Sequence, residues 1–263
     1  MHGLMKEPKG EKTNWIGYSQ LAWIEPIIAP PQAYAQETKL FIKTIRKNSN
    51  IEPRTLLHLG CGAGGNDHTF KKYFAVTGVD ISKDMLQIAK KRNPEVTYHH
   101  QDMRMLNLDA CFDAVAIPDS IGYMTTAKEL RKVVFLAQRH LKPGGVLLIV
   151  GQPKEDFREN NFLYTGKKGD REITVFENNH IRGPQASTYE ATIIYLVRKK
   201  GKLEMYSECH ILGLFKKETW FSIFKDCGLK VREVNTKEAY GPFIFGQGSY
   251  LLTIFACTKP LKS

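Results

Sequence analysis

The 263-residue chain is 42% hydrophobic with a net charge of +11, which is enough length and apolar content for a full core. Its five cysteines (Cys61, Cys111, Cys209, Cys227, Cys257) are odd in number, widely spaced and without a C-x-x-C pair. That argues against a disulfide framework or a metal site and predicts a reducing, cytoplasmic setting. No apolar run approaches the ~18 residues of a membrane span. The charge fits an anionic partner (nucleotide, phosphorylated metabolite or RNA) or a solvated basic surface, because the lysines are scattered among acidic residues.

Residues 1 to about 14 are polar and expected to be mobile. Aromatics enter at Trp15-Ile16-Gly17-Tyr18 and Leu21-Ala22-Trp23-Ile24, and Pro30-Pro31 sets up a helix to about Lys47. Leu56 to Leu59 reads as a buried strand feeding Gly60-Cys61-Gly62-Ala63-Gly64-Gly65. Glycines are needed there so that the backbone can lie against a ligand. Gly60, Gly62 and Gly65 fit the dinucleotide pattern G-x-G-x-x-G, while Gly60, Gly62 and Gly64 fit the G-x-G-x-G loop of S-adenosylmethionine (SAM) sites. A short helix (66–74) leads to a strand ending at Asp80, placed to accept hydrogen bonds from the ribose hydroxyls of either cofactor. Ser82 caps a helix to about Arg92.

A third strand runs from Val96 into Gln101-Asp102-Met103-Arg104, where Asp102 can accept from an adenine amine and the Met103 N–H can meet a ring nitrogen. Capping or pairing with Arg104 is the other use of Asp102. Phe112 to Ile117 is a fourth strand, and its loop, Asp119 to Met124, should face the reacting centre. Thr126 to Glu129 is a capping box, followed by a helix with apolar residues at Leu130, Val133, Val134, Ala137 and Leu141. Val146 to Val150 is a buried fifth strand. Beyond 151, Glu172–Phe176, Ser187–Val197 and Leu203–Leu212 have strand composition and predict an inserted antiparallel sheet of about three strands. A helix at 216–227 stops at Gly228, and strands 229–234 and 249–258 close the chain.

The ordered set L-G-C-G-A-G-G, V-T-G-V-D-I-S, Q-D-M-R and L-K-P-G-G-V-L-L resembles the class I SAM-dependent methyltransferases over roughly residues 20 to 258. Further stretches, among them His99 to Arg104, Ser120 to Tyr123 and Cys209 to Phe215, are similar to the N,N-dimethyltransferases of TDP-linked 3-amino-sugars. The expected fold is α/β, a Rossmann-like doubly wound seven-stranded sheet with a C-terminal antiparallel hairpin, N-terminal helices and a small inserted antiparallel β-sheet. The expected parts are an N-terminal helical cap (1–50), a SAM-binding core (51–152), an inserted sheet serving as lid or dimer surface (153–212), and the last part of the core (213–263). The resemblance implies SAM as cofactor and a homodimer.

For the cofactor, the residues singled out are Gly60, Gly62 and Gly64 for the loop, Asp80 for ribose, and Ile81, Asp102 and Met103 for adenine. Trp23 would cover the methionyl end or the acceptor, or serve as a packing anchor. For the acceptor, Tyr123 would orient or deprotonate the nucleophile, Asp119 would pair with an ammonium, and His210 would act as base. The partner expected is a small molecule, anionic in character, with no nucleic acid and no membrane. Two departures from the subfamily stand out: His58 where an acidic residue usually ends the first strand, and Gly246-Gln247-Gly248 where the sugar enzymes have G-R-G. They leave room for a SAM-binding partner without catalysis, and the charge leaves room for an RNA methyltransferase.

Overall fold

The computed structural model describes residues 15–183, 185–236, 244–246 and 251–261. The segment expected to be mobile, Gln247 and Gly248 of the glycine turn, and the expected start of the last strand at 249 lie outside these residues. After short 3-10 turns at Ile16–Tyr18 and Ala22–Ile24 come α1 (Glu25–Ile28) and α2 (Pro31–Asn48). The main sheet uses β1 (Thr55–Leu59), β2 (Ala75–Asp80), β3 (Thr97–His100), β4 (Phe112–Ile117) and β5 (Leu141–Gly151), all parallel. Between them lie α3 (Asp67–Phe70), α4 (Lys83–Arg92) and α5 (Ala127–Arg139). A second sheet holds β6 (Asn160–Lys168), β7 (Arg171–His180), β8 (Thr188–Lys199) and β9 (Lys202–Gly213), and α6 (Lys217–Asp226), β10 (Lys230–Thr236) and β11 (Leu252–Thr258) return to the first.

The seven-stranded order is β10-β11-β5-β4-β1-β2-β3, with β11 antiparallel to both neighbours. Strand order therefore reverses between β1 and β4, and the loops after these two strands open one crevice. β1, β4 and β5 carry apolar residues on both faces because both faces are covered, with His58 and Asp113 as buried polar exceptions. Leu57, Leu59, Val115, Ile117, Leu147 and Ile149 pack under α5 and α6, and the alternate residues Leu56, Ala114, Ala116, Leu148 and Val150 pack under α2 and α4. At ~1.5–3 kcal/mol per fully buried large side chain, this double core holds the crevice-forming loops on a rigid base.

Three expectations are corrected. The inserted sheet has four strands, not about three: Asn160–Lys168 pairs with β7 along its length, from Asn160↔Asn179 to Lys168↔Arg171. Its polar ends and Gly166 disguise it. β3 stops at His100, so Asp102 caps a 3-10 turn rather than ending a strand. β5 begins at Leu141, pairing with Phe112, because Lys142 to Gly145 join the sheet instead of turning away from it.

Candidate active site

The crevice begins at the glycine loop. Gly60 has φ +68°, and a Cβ on it would fall 2.1 Å from Ser120 Oγ, so the loops after β1 and β4 touch only because no side chain intervenes. Gly62 has φ +52° but a Cβ there would meet no atom within 4 Å, which leaves its backbone open toward the crevice. Gly64, also at positive φ, accepts through its carbonyl from Asn93 Nδ2 at 2.9 Å. Asp80 is set by two backbone donors, Gly62 N–H at 2.7 Å and Ser82 N–H at 2.8 Å. Burial pushes its carboxyl upward, and these two donors oppose the rise. Each oxygen keeps room for a second hydrogen bond, as two neighbouring hydroxyls require.

Beside Asp80, Ile81 is 43% exposed rather than part of the core. Met103 lies across the loop, its Cε 3.2 Å from where a Gly60 Cβ would be. Asp102 is more committed. Both its oxygens are clamped by Arg104, at 2.7 to 3.1 Å, and it caps the Arg104 N–H at 2.8 Å. Burial would raise its carboxyl, but the Arg104 hydrogen bonds prevail and hold it low. Trp23 packs with Ile173 and Val175 of the inserted sheet, under the Arg171 guanidinium at 4.8 Å. The residue of that turn that packs against the loop is Ala22, in contact with Ala63 and Met85.

The atypical His58 is buried, with Nδ1 2.6 Å from Asp67 Oδ1. Tyr98 OH donates to the other Asp67 oxygen at 2.9 Å, and Asn93 Nδ2 reaches Tyr98 OH and the Gly64 carbonyl. A carboxylate thus stands beside the first-strand position after all, supplied by Asp67, and its network supports the loop from below.

After β4, Asp119 has φ +57° and ψ −39°, outside the left-handed helical well, and opens the 3-10 turn Ser120–Tyr123. Ser120 N–H donates to the Pro118 carbonyl at 2.7 Å, closing a strained γ-turn around Asp119. At the end of the turn, Tyr123 OH lies 2.8 Å from His210 Nδ1 and 2.7 Å from Tyr18 OH. His210 Nε2 is 3.2 Å from Glu208 Oε2, off the direction of a hydrogen bond, and neither atom has another partner among the described residues. A carboxylate there favours the proton on Nε2, which makes Nδ1 an acceptor for the Tyr123 hydroxyl. Burial pushes the Tyr123 phenol well up, so it stays protonated at neutral pH. Burial also raises Glu208, but His210, Tyr195 OH and the Gly17 N–H hold it below its ordinary value.

Sheet register explains how these groups meet. Directly paired residues share a face, and Phe162, Glu177, Ile193 and Glu208 form one cross-strand row, with Asn179, Ala191 and His210 in a neighbouring row. This inner face carries Glu177, which accepts from Asn179 Nδ2 at 2.9 Å. Burial raises the Glu177 carboxyl, with Asp119 adding to the rise. The 15–18 turn lies over the face: Gly17 N–H donates to Glu208 Oε1 at 3.1 Å, and the Trp15 ring is 4.5 Å from that of Tyr123. Ser82 Oγ donates to the Tyr18 carbonyl, tying the segment beside Asp80 to the aromatic cluster around Tyr123.

Asp80 accepts from Gly62 of the glycine loop, and Ser82 and Tyr18 link this segment to Tyr123 and His210, while Gly64 faces inward toward Asn93 and Tyr98. Tyr18, Asp67, Glu177 and Glu208 were not anticipated. Glu208 was within reach, because strand alternation puts residue 208 on the face of 210. Glu177 lies one residue beyond the expected strand Glu172–Phe176.

A sheet with this order, a glycine loop after the first strand and an acidic residue ending the second define a class I SAM-dependent methyltransferase. Residues 56–145 match the methyltransferase domain family. The chain is 31% identical over 204 residues, 75% of itself and 84% of the relative, to the dTDP-3-amino-3,4,6-trideoxy-alpha-D-glucopyranose N,N-dimethyltransferase of Streptomyces venezuelae. It is 29% identical over 204 residues, 75% of itself and 78% of the relative, to the dTDP-3-amino-3,6-dideoxy-alpha-D-glucopyranose N,N-dimethyltransferase of Streptomyces fradiae. The fold matches Streptomyces venezuelae DesVI with a TM-score of 0.74 at 24% identity, over 95% of this chain and 100% of that one. The chain belongs to the SAM-dependent methyltransferase family that includes these amino-sugar N,N-dimethyltransferases, and its cofactor is SAM.

Proposed function

We propose that the chain methylates the amine of a nucleotide-linked amino sugar, carrying it to the dimethyl stage. The observation that carries this reading is the line Tyr18, Tyr123, His210 and Glu208, which runs from the surface at Tyr18 to the buried His210, flanked by the carboxylates of Asp119 and Glu177. Carboxylates and tyrosines suit an ammonium, and such a group must lose a proton before it can attack. SAM when bound supplies the methyl group and a good leaving group. Gly60, Gly62, Gly64, Asp80, Ile81, Asp102 and Met103 are the residues assigned to hold it, Asp102 sharing its carboxylate with Arg104.

Asp119 and Glu177 bind the acceptor as its ammonium. Tyr123 takes a proton from it while passing its own to His210 Nδ1, and Glu208 stabilises the imidazolium that forms. The neutral amine is then held in line, and positioning of this kind is worth ~7–11 kcal/mol. Residues 153–212 act as a lid.

The outer face of the inserted sheet presents Leu163, Phe176, Ile194, Leu196 and Met205, the last 69% exposed. This stripe suits a homodimer interface, and among the described residues no helix is long and apolar enough to cross a membrane; the location assigned is the cytoplasm. The test supplies labelled SAM with either dTDP-3-amino-3,6-dideoxy-alpha-D-glucose or folded RNA. Label in the nucleotide sugar alone supports the reading, and label in RNA alone replaces it with the alternative that the net charge of +11 suggests.

A further inference from the structure

The glycine loop is held from behind by the end of α4. Arg92 Nη1 donates to the Ala63 carbonyl at 3.0 Å, and the next residue, Asn93, donates through Nδ2 to the Gly64 carbonyl at 2.9 Å. Gly64 N–H donates to the Cys61 carbonyl at 3.0 Å, so the Ala63–Gly64 peptide is fixed at both its oxygen and its hydrogen. On the other side of the loop, Gly62 N–H is tied to Asp80 at 2.7 Å. The backbone at Gly62, open toward the crevice, therefore hangs between two anchored points.

Arg92 is itself aimed from a distant segment. Its Nη2 lies 3.1 Å from Glu25 Oε2, with the two side chains only 10% and 17% exposed. Tyr34 OH donates to Glu25 Oε1 at 3.1 Å, and the Tyr34 ring lies against the loop, where a Cβ on Gly65 would fall 2.5 Å from a ring carbon. Glu25 opens α1, which packs on the inserted sheet: a Cβ on Gly166 of β6 would fall 2.5 Å from the Ile27 carbonyl oxygen. One carboxylate thus joins α1, α2 and α4 around the loop.

Stabilisation alone does not account for this pair. Burial raises the Glu25 carboxyl above its ordinary value, and Arg92 and Tyr34 oppose the rise without cancelling it. A pair whose desolvation outweighs its attraction is a weak source of stability, and what it supplies is an arrangement. We infer that Arg92 and Glu25 are positioning residues for SAM: Glu25 aims the Arg92 guanidinium at the Ala63 carbonyl, and that contact sets the Gly62 backbone against the cofactor. Neither side chain needs to touch SAM, and the role is the same whatever the acceptor.

Two variants of the full chain test it. Glu25→Gln keeps the shape and the Tyr34 hydrogen bond but removes the charge that aims Arg92. Arg92→Lys keeps a cation beside Glu25 without the planar fork that reaches the carbonyl as well. Calorimetric titration with SAM, no acceptor present, should show each binding about tenfold more weakly, the equivalent of one hydrogen bond to a charged group. Melting temperatures should stay within about 4 °C of wild type. In the SAM-free chain, amide hydrogen exchange should quicken at Gly62 and Gly64 and stay unchanged in β1 and β2. Wild-type SAM affinity in both folded variants would overturn the assignment. So would a loss of affinity that only follows the unfolded fraction, with loop exchange unaltered. If Arg92→Lys does not fold, Glu25→Gln decides alone, and failure of both to fold would make the pair structural and overturn the positioning role.

Discussion

Asp80→Ala tests the cofactor site at its most specific point. The carboxylate accepts Gly62 N–H at 2.7 Å and Ser82 N–H at 2.8 Å, and its remaining lone pairs are the ones assigned to ribose. A hydrogen bond to a charged group contributes ~1.5–3 kcal/mol. Losing two, partly replaced by water, amounts to about 3 kcal/mol, which weakens SAM binding by roughly a hundredfold at 1.4 kcal/mol per decade. The freed Gly62 and Ser82 N–H groups subtract ~1 kcal/mol of fold stability as well, so thermal melting must accompany the binding measurement. Titration calorimetry reads the affinity directly, and wild type should bind SAM and not NAD. An unchanged SAM affinity in the folded variant would refute the assignment of the ribose site.

Other substitutions separate positioning from binding. Gly62→Ala meets no protein atom but must hold a positive φ, so it should lower stability by only ~1 kcal/mol while abolishing SAM binding; intact binding would show that this backbone does not face the cofactor. Tyr123→Phe keeps the ring and breaks the line to His210. It should lower kcat by about ten- to a hundredfold with SAM affinity unchanged, and an unaltered kcat would remove Tyr123 from proton transfer. Glu177→Gln should raise the acceptor KM while Glu177 is ionised, with the difference shrinking as pH falls and the raised carboxyl takes up its proton; an unchanged KM would exclude ammonium pairing.

Stability should respond to pH through Asp113, 6% exposed, whose carboxylate accepts from Arg54 N–H, Thr55 N–H and Oγ1, and Lys142. Burial alone would raise it, but these partners lower it from 3.8 to about 2. With the folded value below the unfolded one, the contribution is complete above about pH 4 and is lost as pH falls toward 2. It is worth about 2 kcal/mol. Asp113→Asn should therefore destabilise at pH 7 and be nearly neutral at pH 2, and an equal penalty at both would refute the linkage.

The main sheet was legible in the sequence because its strands are buried on both faces and punctuated by glycine, Asp80 and Asp119, although Pro143 and its glycines suggested a break where β5 had already begun. Ser82 and Thr126 cap α4 and α5 as their types imply, accepting from Met85 N–H and Glu129 N–H. The inserted sheet was only partly legible. β6 begins Asn160-Asn161 and ends Lys167-Lys168, so its inner apolar positions, Phe162 and Tyr164, are too few to set a period. The expected strand Glu172–Phe176 stopped one residue short of Glu177, whereas Glu208 lay on an expected strand and could be read from its alternation with His210. The His58 puzzle had a different root, since its carboxylate comes from Asp67, nine residues on, a contact made in space and invisible in spacing. Trp23 illustrates the opposite limit: its type fitted both a cover for the cofactor or acceptor and a packing anchor, and the sequence could not show that it packs with the Ile173 cluster under Arg171.

The central claim is amine-directed methyl transfer, and mass spectrometry of a single reaction tests it most directly. With SAM supplied, dTDP-3-amino-3,6-dideoxy-alpha-D-glucose should gain the mass of one CH₂ and then a second, both located on nitrogen by fragmentation. The sugar in which a hydroxyl replaces the amine should gain none. Methylation on oxygen, or no gain while SAM remains bound, would contradict the account.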